Sequence, residues 1–156
     1  MLQIDLFRID DRLIHGQVMT NWLKRSGAKR IIIVDDLVAK DQFSLQIFKF
    51  AAPPGISVEA FTIEDAAALF TDPGQPDEKV VVLAKTPVAP LELLKAGVKF
   101  SLLNVGGMGA APGRKQYYRN ISMSDEELEM LREIKRMGVP VEFRILPDDN
   151  PKMLDE

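Results

Sequence analysis

The run Arg30-Ile31-Ile32-Ile33-Val34-Asp35 is apolar at four consecutive positions. A strand with one face in water alternates polar and apolar residues. Four β-branched residues in a row instead describe a strand covered on both faces, the habit of parallel sheets flanked by helices. Residues 79–85, Lys-Val-Val-Val-Leu-Ala-Lys, read the same way.

Helical spacing surrounds these strands. Val18, Met19, Trp22 and Leu23 mark a helix from Gly16 that Ser26-Gly27 ends. Phe43, Ile47, Phe48 and Phe50 predict one helix over 39–52, stopped by Pro53-Pro54-Gly55, and Trp22, Phe43, Phe48 and Phe50 read as core. Residues 56–61 form a strand, and Thr62 with Asp65 three residues on opens a short helix through Phe70. Thr86 caps a helix with Pro87 first and Gly97 just past its end. Residues 101–105 are a strand running into a glycine-rich loop over 106–113. Residues 117–121 form a short strand, 124–137 a helix with a Ser124–Glu127 capping box, and 141–146 the last strand. At the start, residues 2–8 form a strand with Leu2, Ile4 and Leu6 on one face. Six or seven strands alternating with five helices predict an α/β fold. It is a three-layer, doubly wound domain with a mainly parallel sheet and helices on both faces.

Composition excludes much chemistry. The 156 residues suit one domain able to bury roughly 68–70% of its extended surface. The absence of cysteine removes disulfides, thiolate nucleophiles and thiolate-bound metal, and a single histidine removes His-rich metal sites. The net charge of −3 argues against a nucleic-acid surface over the whole domain. The charged start is unlike a signal peptide, and the apolar runs fall far short of the roughly 20 residues that span a bilayer. These features predict a cytoplasmic protein.

In such sheets, ligands gather beyond the carboxyl ends of the strands. There lies Arg8-Ile9-Asp10-Asp11-Arg12-Leu13-Ile14-His15-Gly16-Gln17, with two arginines, two aspartates and the only histidine. The arrangement suits a histidine that carries a phosphoryl group. Imidazole is nucleophilic near neutrality, and the helix start at Gly16 and Gln17 offers unpaired N–H groups to phosphate oxygens. Arg8 and Arg12 match those oxygens bidentately, and Asp10 can hold one ring nitrogen so that the other attacks. The same residues also fit a histidine bonded locally at a helix terminus amid solvated charges.

Three further stretches carry polar or glycine-rich signals. Asp35-Asp36 reads as helix-initiating, a weak magnesium site lacking a third carboxylate. Asn104-Val-Gly-Gly-Met-Gly109 is not a dinucleotide fingerprint. It fits either a turn with glycines at positive φ or a lining of the His15 site. Residues 114–119 mix base and aromatic as RNA-binding segments do, but read better as a solvated edge strand.

The stretch from Arg8 to Val18 resembles the phosphorylation-site loop of enzyme IIB components in the mannose, fructose and sorbose family. That family serves the phosphoenolpyruvate-dependent sugar phosphotransferase system. Trp22, residues 31–36, Leu103-Asn-Val-Gly-Gly-Met108 and Ile121-Ser-Met-Ser124 also sit where that family has similar segments. The resemblance covers the chain and implies one IIB domain over 1–156. It implies that His15 takes a phosphoryl group on Nδ1 from a IIA partner and passes it to a sugar bound by membrane IIC and IID components. The domain would then associate peripherally with the membrane, using no cofactor and no metal. A regulatory module that signals through a partner would need the same loop and stays open, as do self-association and the identity of the sugar.

Overall fold

The unbroken apolar run finds its reason in the sheet. In the computed structural model, which describes residues 1–155, β2 (Arg30–Val34) lies between two parallel neighbours, β3 (Ser57–Phe61) and β4 (Lys79–Ala84). Ile31 and Ile33 enter the core on one face, while Ile32 and Val34 enter the core on the other. Each face of the strand therefore needs its own apolar set.

The other main-sheet strands are β1 (Gln3–Asp10), β5 (Leu103–Gly107), β8 (Val141–Phe143) and β9 (Lys152–Met153). Their order is β3-β2-β4-β1-β5-β8-β9, parallel except for the antiparallel edge strand β9. One face is covered by α1 (Gly16–Ser26), α2 (Asp36–Ala39) and α3 (Gln42–Ala51). The other face is covered by α4 (Ile63–Phe70), α5 (Val88–Lys95) and α6 (Asp125–Arg136). The doubly wound, three-layer α/β architecture is the predicted one.

Several local expectations change. Leu2 and Ile4 pack in one core and Leu6 in the other, because a bulge at Asp5 shifts the register of β1 against β4 and flips the side chains beyond it. The helix predicted over 39–52 is α3, which starts later, at Gln42, and a separate short helix, α2, precedes it. Asp35 accepts from the Leu37 and Val38 amides, and Asp41 accepts from those of Phe43 and Ser44, so each carboxylate starts its own helix. Phe43 and Phe50 are not core: they are 75% and 94% exposed, and only Phe48 of the three packs inward.

The single strand predicted at 117–121 is a hairpin of β6 (Lys115–Tyr118) and β7 (Ile121–Met123), turning at Arg119 with φ 49°. The strand predicted over 141–146 stops at Phe143, and six helices rather than five form among the described residues. None of these helices is long and apolar enough to cross a membrane.

Candidate functional site

The middle of the sheet positions the site. β1 lies between β4 and β5, and α1 leaves it toward one face, whereas α5 and α6 lie on the other. Connections that part in this way open a crevice at the carboxyl end of the strand. Five residues span from Asp10 to the helix, and two of them anchor the loop, since Leu13 is wholly buried and Ile14 nearly so. Leu13 also takes φ 57°, a conformation rare for leucine, and its amide donates to the Asp10 carbonyl at 2.9 Å. The burial of its side chain holds it there, and beyond the buried Ile14 the chain rises to the rim.

His15 is the residue lifted. It is the N-cap of α1, with extended backbone and no side-chain bond to the helix amides, so its ring is free for other work. Its side chain is 21% exposed, and Nε2 lies 2.8 Å from Asp10 Oδ2. A carboxylate can only accept, so this contact assigns a proton to Nε2, and in the neutral ring Nδ1 is then the nitrogen with the lone pair.

Asp10 is fully buried, yet it stays a carboxylate. Burial pushes its pKa up, but hydrogen bonds from Arg12 and His15 and the nearby Arg8 charge outweigh that and hold it below the ordinary aspartate value. The Arg12 amide and Nε reach Oδ1 at 3.1 and 3.2 Å, and Arg8 Nη2 reaches Oδ2 at 3.2 Å.

The structure separates the two arginines. Arg12 is half exposed and borders an opening of about 220 Å³ with Asp11, Gly107, Met108, Gly109 and Asn120. Arg8 has no exposed surface and cannot meet a phosphoryl group at the rim, which corrects its expected contact with phosphate. It lies behind Asp10 instead, with its guanidinium 5.3 Å from the Trp22 ring centroid. Burial draws its pKa down, against the opposing effect of Asp10. Gly16, at φ 49°, starts α1 with open space where a side chain would stand. Gln17 turns its amide to Asn21 at 3.0 Å, along the helix and not to the ring.

The glycine-rich stretch is part of the site floor, for a different reason than turn geometry. Gly106 and Gly107 belong to β5 and take no positive φ, but a Cβ on Gly106 would fall 1.9 Å from Arg8 Cζ. Asp11 fastens the loop, accepting from the Gly109 amide at 2.7 Å while its own amide donates to the Gly107 carbonyl at 3.1 Å. Arg114 braces Gly109 from outside, donating to its carbonyl at 2.8 Å and to both Glu127 oxygens at 2.9 and 2.8 Å. Those bonds commit Arg114 to the fold. Asp35 and Asp36 act as caps, Asp36 by accepting from the Ile63 amide. Among the described residues no group of three or more His, Asp or Glu could hold a metal ion.

Sequence reading missed Asn104, Glu142 and Arg144 as neighbours of Arg8. Their signal was present: Asn104 and Glu142 each interrupt an apolar strand, where a polar residue needs a buried partner.

These features put the chain in the class of doubly wound α/β domains that present one carboxylate-held histidine at the carboxyl edge of a central strand. The family model described as PTS system sorbose subfamily IIB component matches residues 4–156, and the chain belongs to that family. It is 40% identical over 148 residues to the sorbose-specific EIIB component of Klebsiella pneumoniae, covering 95% of this chain and 90% of that protein. It is 35% identical to the mannose-specific EIIAB component of Escherichia coli K12, covering 97% of this chain and 47% of that protein. The IIBSor domain of the sorbose permease from Klebsiella pneumoniae superposes with a TM-score of 0.92 at 39% identity, over 96% of this chain and 92% of that one. The chain is thus a IIB component of sugar phosphotransfer, and such components are phosphotransferases.

Proposed function

We propose that His15 carries the phosphoryl group, taking it from a phosphohistidine on a IIA partner and giving it to a sugar held by membrane IIC and IID components. The observation that carries this reading is the 2.8 Å contact of Nε2 with Asp10 Oδ2, which leaves Nδ1 as the nucleophile. In the first transfer the N–P bond on the donor breaks as a bond from Nδ1 to phosphorus forms. The donor ring, protonated at its other nitrogen, leaves as neutral imidazole, and the His15 ring, still protonated at Nε2, becomes a phosphoimidazolium. The buried Asp10 carboxylate stabilises that cation. In the second transfer the Nδ1–P bond breaks toward a sugar hydroxyl oxygen, the hydroxyl proton is lost to solvent, and the ring returns to its neutral form.

Phosphoryl transfer asks a protein mainly for alignment and charge. Asp10 aligns the ring, Arg12 supplies the charge nearest the rim, the α1 amides at Gly16 and Gln17 face the phosphate, and Arg8 acts through Asp10. A mannose-specific relative that joins IIA and IIB in one protein supports IIA as the donor. Incubation with phosphoenolpyruvate, enzyme I, HPr and a cognate IIA is expected to give one acid-labile, base-stable phosphate. With a single histidine in the chain, label that persists in His15→Ala would overturn the reading.

A further inference from the structure

The polar contacts behind His15 continue past Arg8 across the sheet. Arg8 Nη1 donates to Asn104 Oδ1 at 2.6 Å and to the Arg144 carbonyl at 3.1 Å. Asn104 Nδ2 donates to Glu142 Oε2 at 2.9 Å, and Arg144 Nη2 reaches both Glu142 oxygens at 2.8 and 2.9 Å. Arg8, Asn104 and Glu142 are register partners on three adjacent strands, β1, β5 and β8, so they form one straight row on one face of the sheet. Arg8 and Asn104 are wholly buried, and Glu142 is 2% exposed.

Stability alone is a poor reason for such a row. Buried ion pairs replaced by apolar residues of similar volume are often no less stable, and the flanking positions of these strands are already Phe, Ile, Leu and Val. The row does have a direction. The Glu142 carboxylate can only accept, so the Asn104 amide must present Nδ2 to it and Oδ1 to Arg8. That fixes Arg8, whose Nη2 bonds Asp10 Oδ2, the same oxygen that holds His15 Nε2.

We infer that Asn104 and Glu142 are positioning residues for phosphoryl transfer: Glu142 orients the Asn104 amide, the amide orients Arg8, and Arg8 holds Asp10 so that Nδ1 of His15 is the free nitrogen. Arg144 completes the row by pairing Glu142, and its guanidinium stands 5.4 Å from the Trp22 ring that Arg8 also approaches. The inference rests on His15 as the phosphoryl carrier, but its first readout does not need transfer.

The test is nitrogen NMR of the imidazole, where the only histidine gives the only ring signals. The native chain is expected to show Nε2 protonated and Nδ1 bare. Glu142→Gln, whose amide presents either an oxygen or an NH2 to Asn104, is expected to unseat Arg8, let Asp10 shift from His15 Nε2 and so give a mixture of tautomers. Its single-turnover phosphorylation by phospho-IIA should slow by about ten- to a hundredfold, with the KM for phospho-IIA unchanged. Asn104→Ser is the second variant and should behave alike. Native tautomer and native rate in both variants, whatever happens to their unfolding midpoints, would make the row a structural device and overturn the inference. A native chain that takes no label at His15 would instead overturn the carrier reading, and the tautomer comparison would still decide whether the row sets the ring.

Discussion

The guanidinium of Arg8 crosses β5 at Gly106, where a Cβ would stand 1.9 Å from Cζ. The glycine is required for space, since its φ is one any residue adopts. Gly106→Ala must push Arg8 out of its seat between Asp10 and Asn104. Overfilling a packed core costs about 1–3 kcal/mol or more, so the denaturation midpoint should fall and the phosphotransfer rate should fall with it. Gly107→Ala is the milder comparison, because its Cβ would meet Asp10 Oδ1 at 3.1 Å and Arg12 Nη2 at 3.2 Å, contacts that small shifts relieve. A Gly106→Ala chain with native rate would show that Arg8 can act from another position.

Asp10→Asn keeps the shape but removes the charge that selects Nε2–H. An amide can offer its NH2 to the ring and so favour the opposite tautomer. It also leaves the phosphoimidazolium without its counter-charge. Loss of an aspartate behind a reactive histidine costs up to ~10⁴ in rate in other enzymes, and a drop of at least about a hundredfold is expected in single-turnover labelling.

Arg12→Ala separates charge at the rim from folding. The side chain is half exposed and its bonds to Asp10 are partly duplicated by the Arg12 backbone amide, which the substitution keeps. Stability should fall by no more than about 1 kcal/mol. Transfer should slow markedly, and an unchanged rate would remove Arg12 from the mechanism.

What the sequence revealed and what it hid follow from the range of the forces involved. Alternating buried strands and capped helices are local patterns, so the layers, the 16–26 helix and the Ser124 capping box were readable. That Asp10, Arg12 and His15 come together was readable because the three lie within six residues. The seat of Arg8 was not, since it depends on register between β1, β5 and β8, over a separation of 96 residues to Asn104. Phe43 and Phe50 misled for the opposite reason: helical spacing identifies a face but not what covers it. Phe43, Ile47 and Phe50 form an outer stripe on α3, while Leu45 and Phe48 supply the inner one.

Acid should weaken the brace under the glycine-rich stretch. Burial raises the Glu127 pKa, but the bonds from Arg114 and the Ser124 amide outweigh this and hold it below the ordinary glutamate value. A carboxylate depressed on folding contributes stability that is fully present above its unfolded pKa of about 4.3 and is lost as pH falls through the folded value. Urea melts should therefore lose stability progressively below about pH 4.5. Glu127→Gln should flatten that limb and cost about 1 kcal/mol at neutral pH, where it also removes the capping-box charge.

The outer stripe of α3 makes a last prediction, which separates exposure from helix formation. Phe and Ser have similar helix propensity, so Phe→Ser on this helix changes mainly the apolar surface. At Phe50, 94% exposed, there is almost no burial to lose, and at Phe43, 75% exposed, little more. Phe50→Ser and Phe43→Ser should each leave the unfolding free energy within about 0.5 kcal/mol of native, as surface changes do. Phe48→Ser removes a ring that packs against the core shared with Trp22 and Val38 and should cost roughly 2 kcal/mol or more. Solubility should move the other way, since Leu37, Phe43, Ile47 and Phe50 expose apolar side chains on neighbouring helices, and patches of that kind promote association. Denaturant melts of the three single variants, beside light scattering at rising concentration, check both halves. A large loss of stability at Phe50 would mean that the stripe is covered in solution by something the isolated fold does not supply.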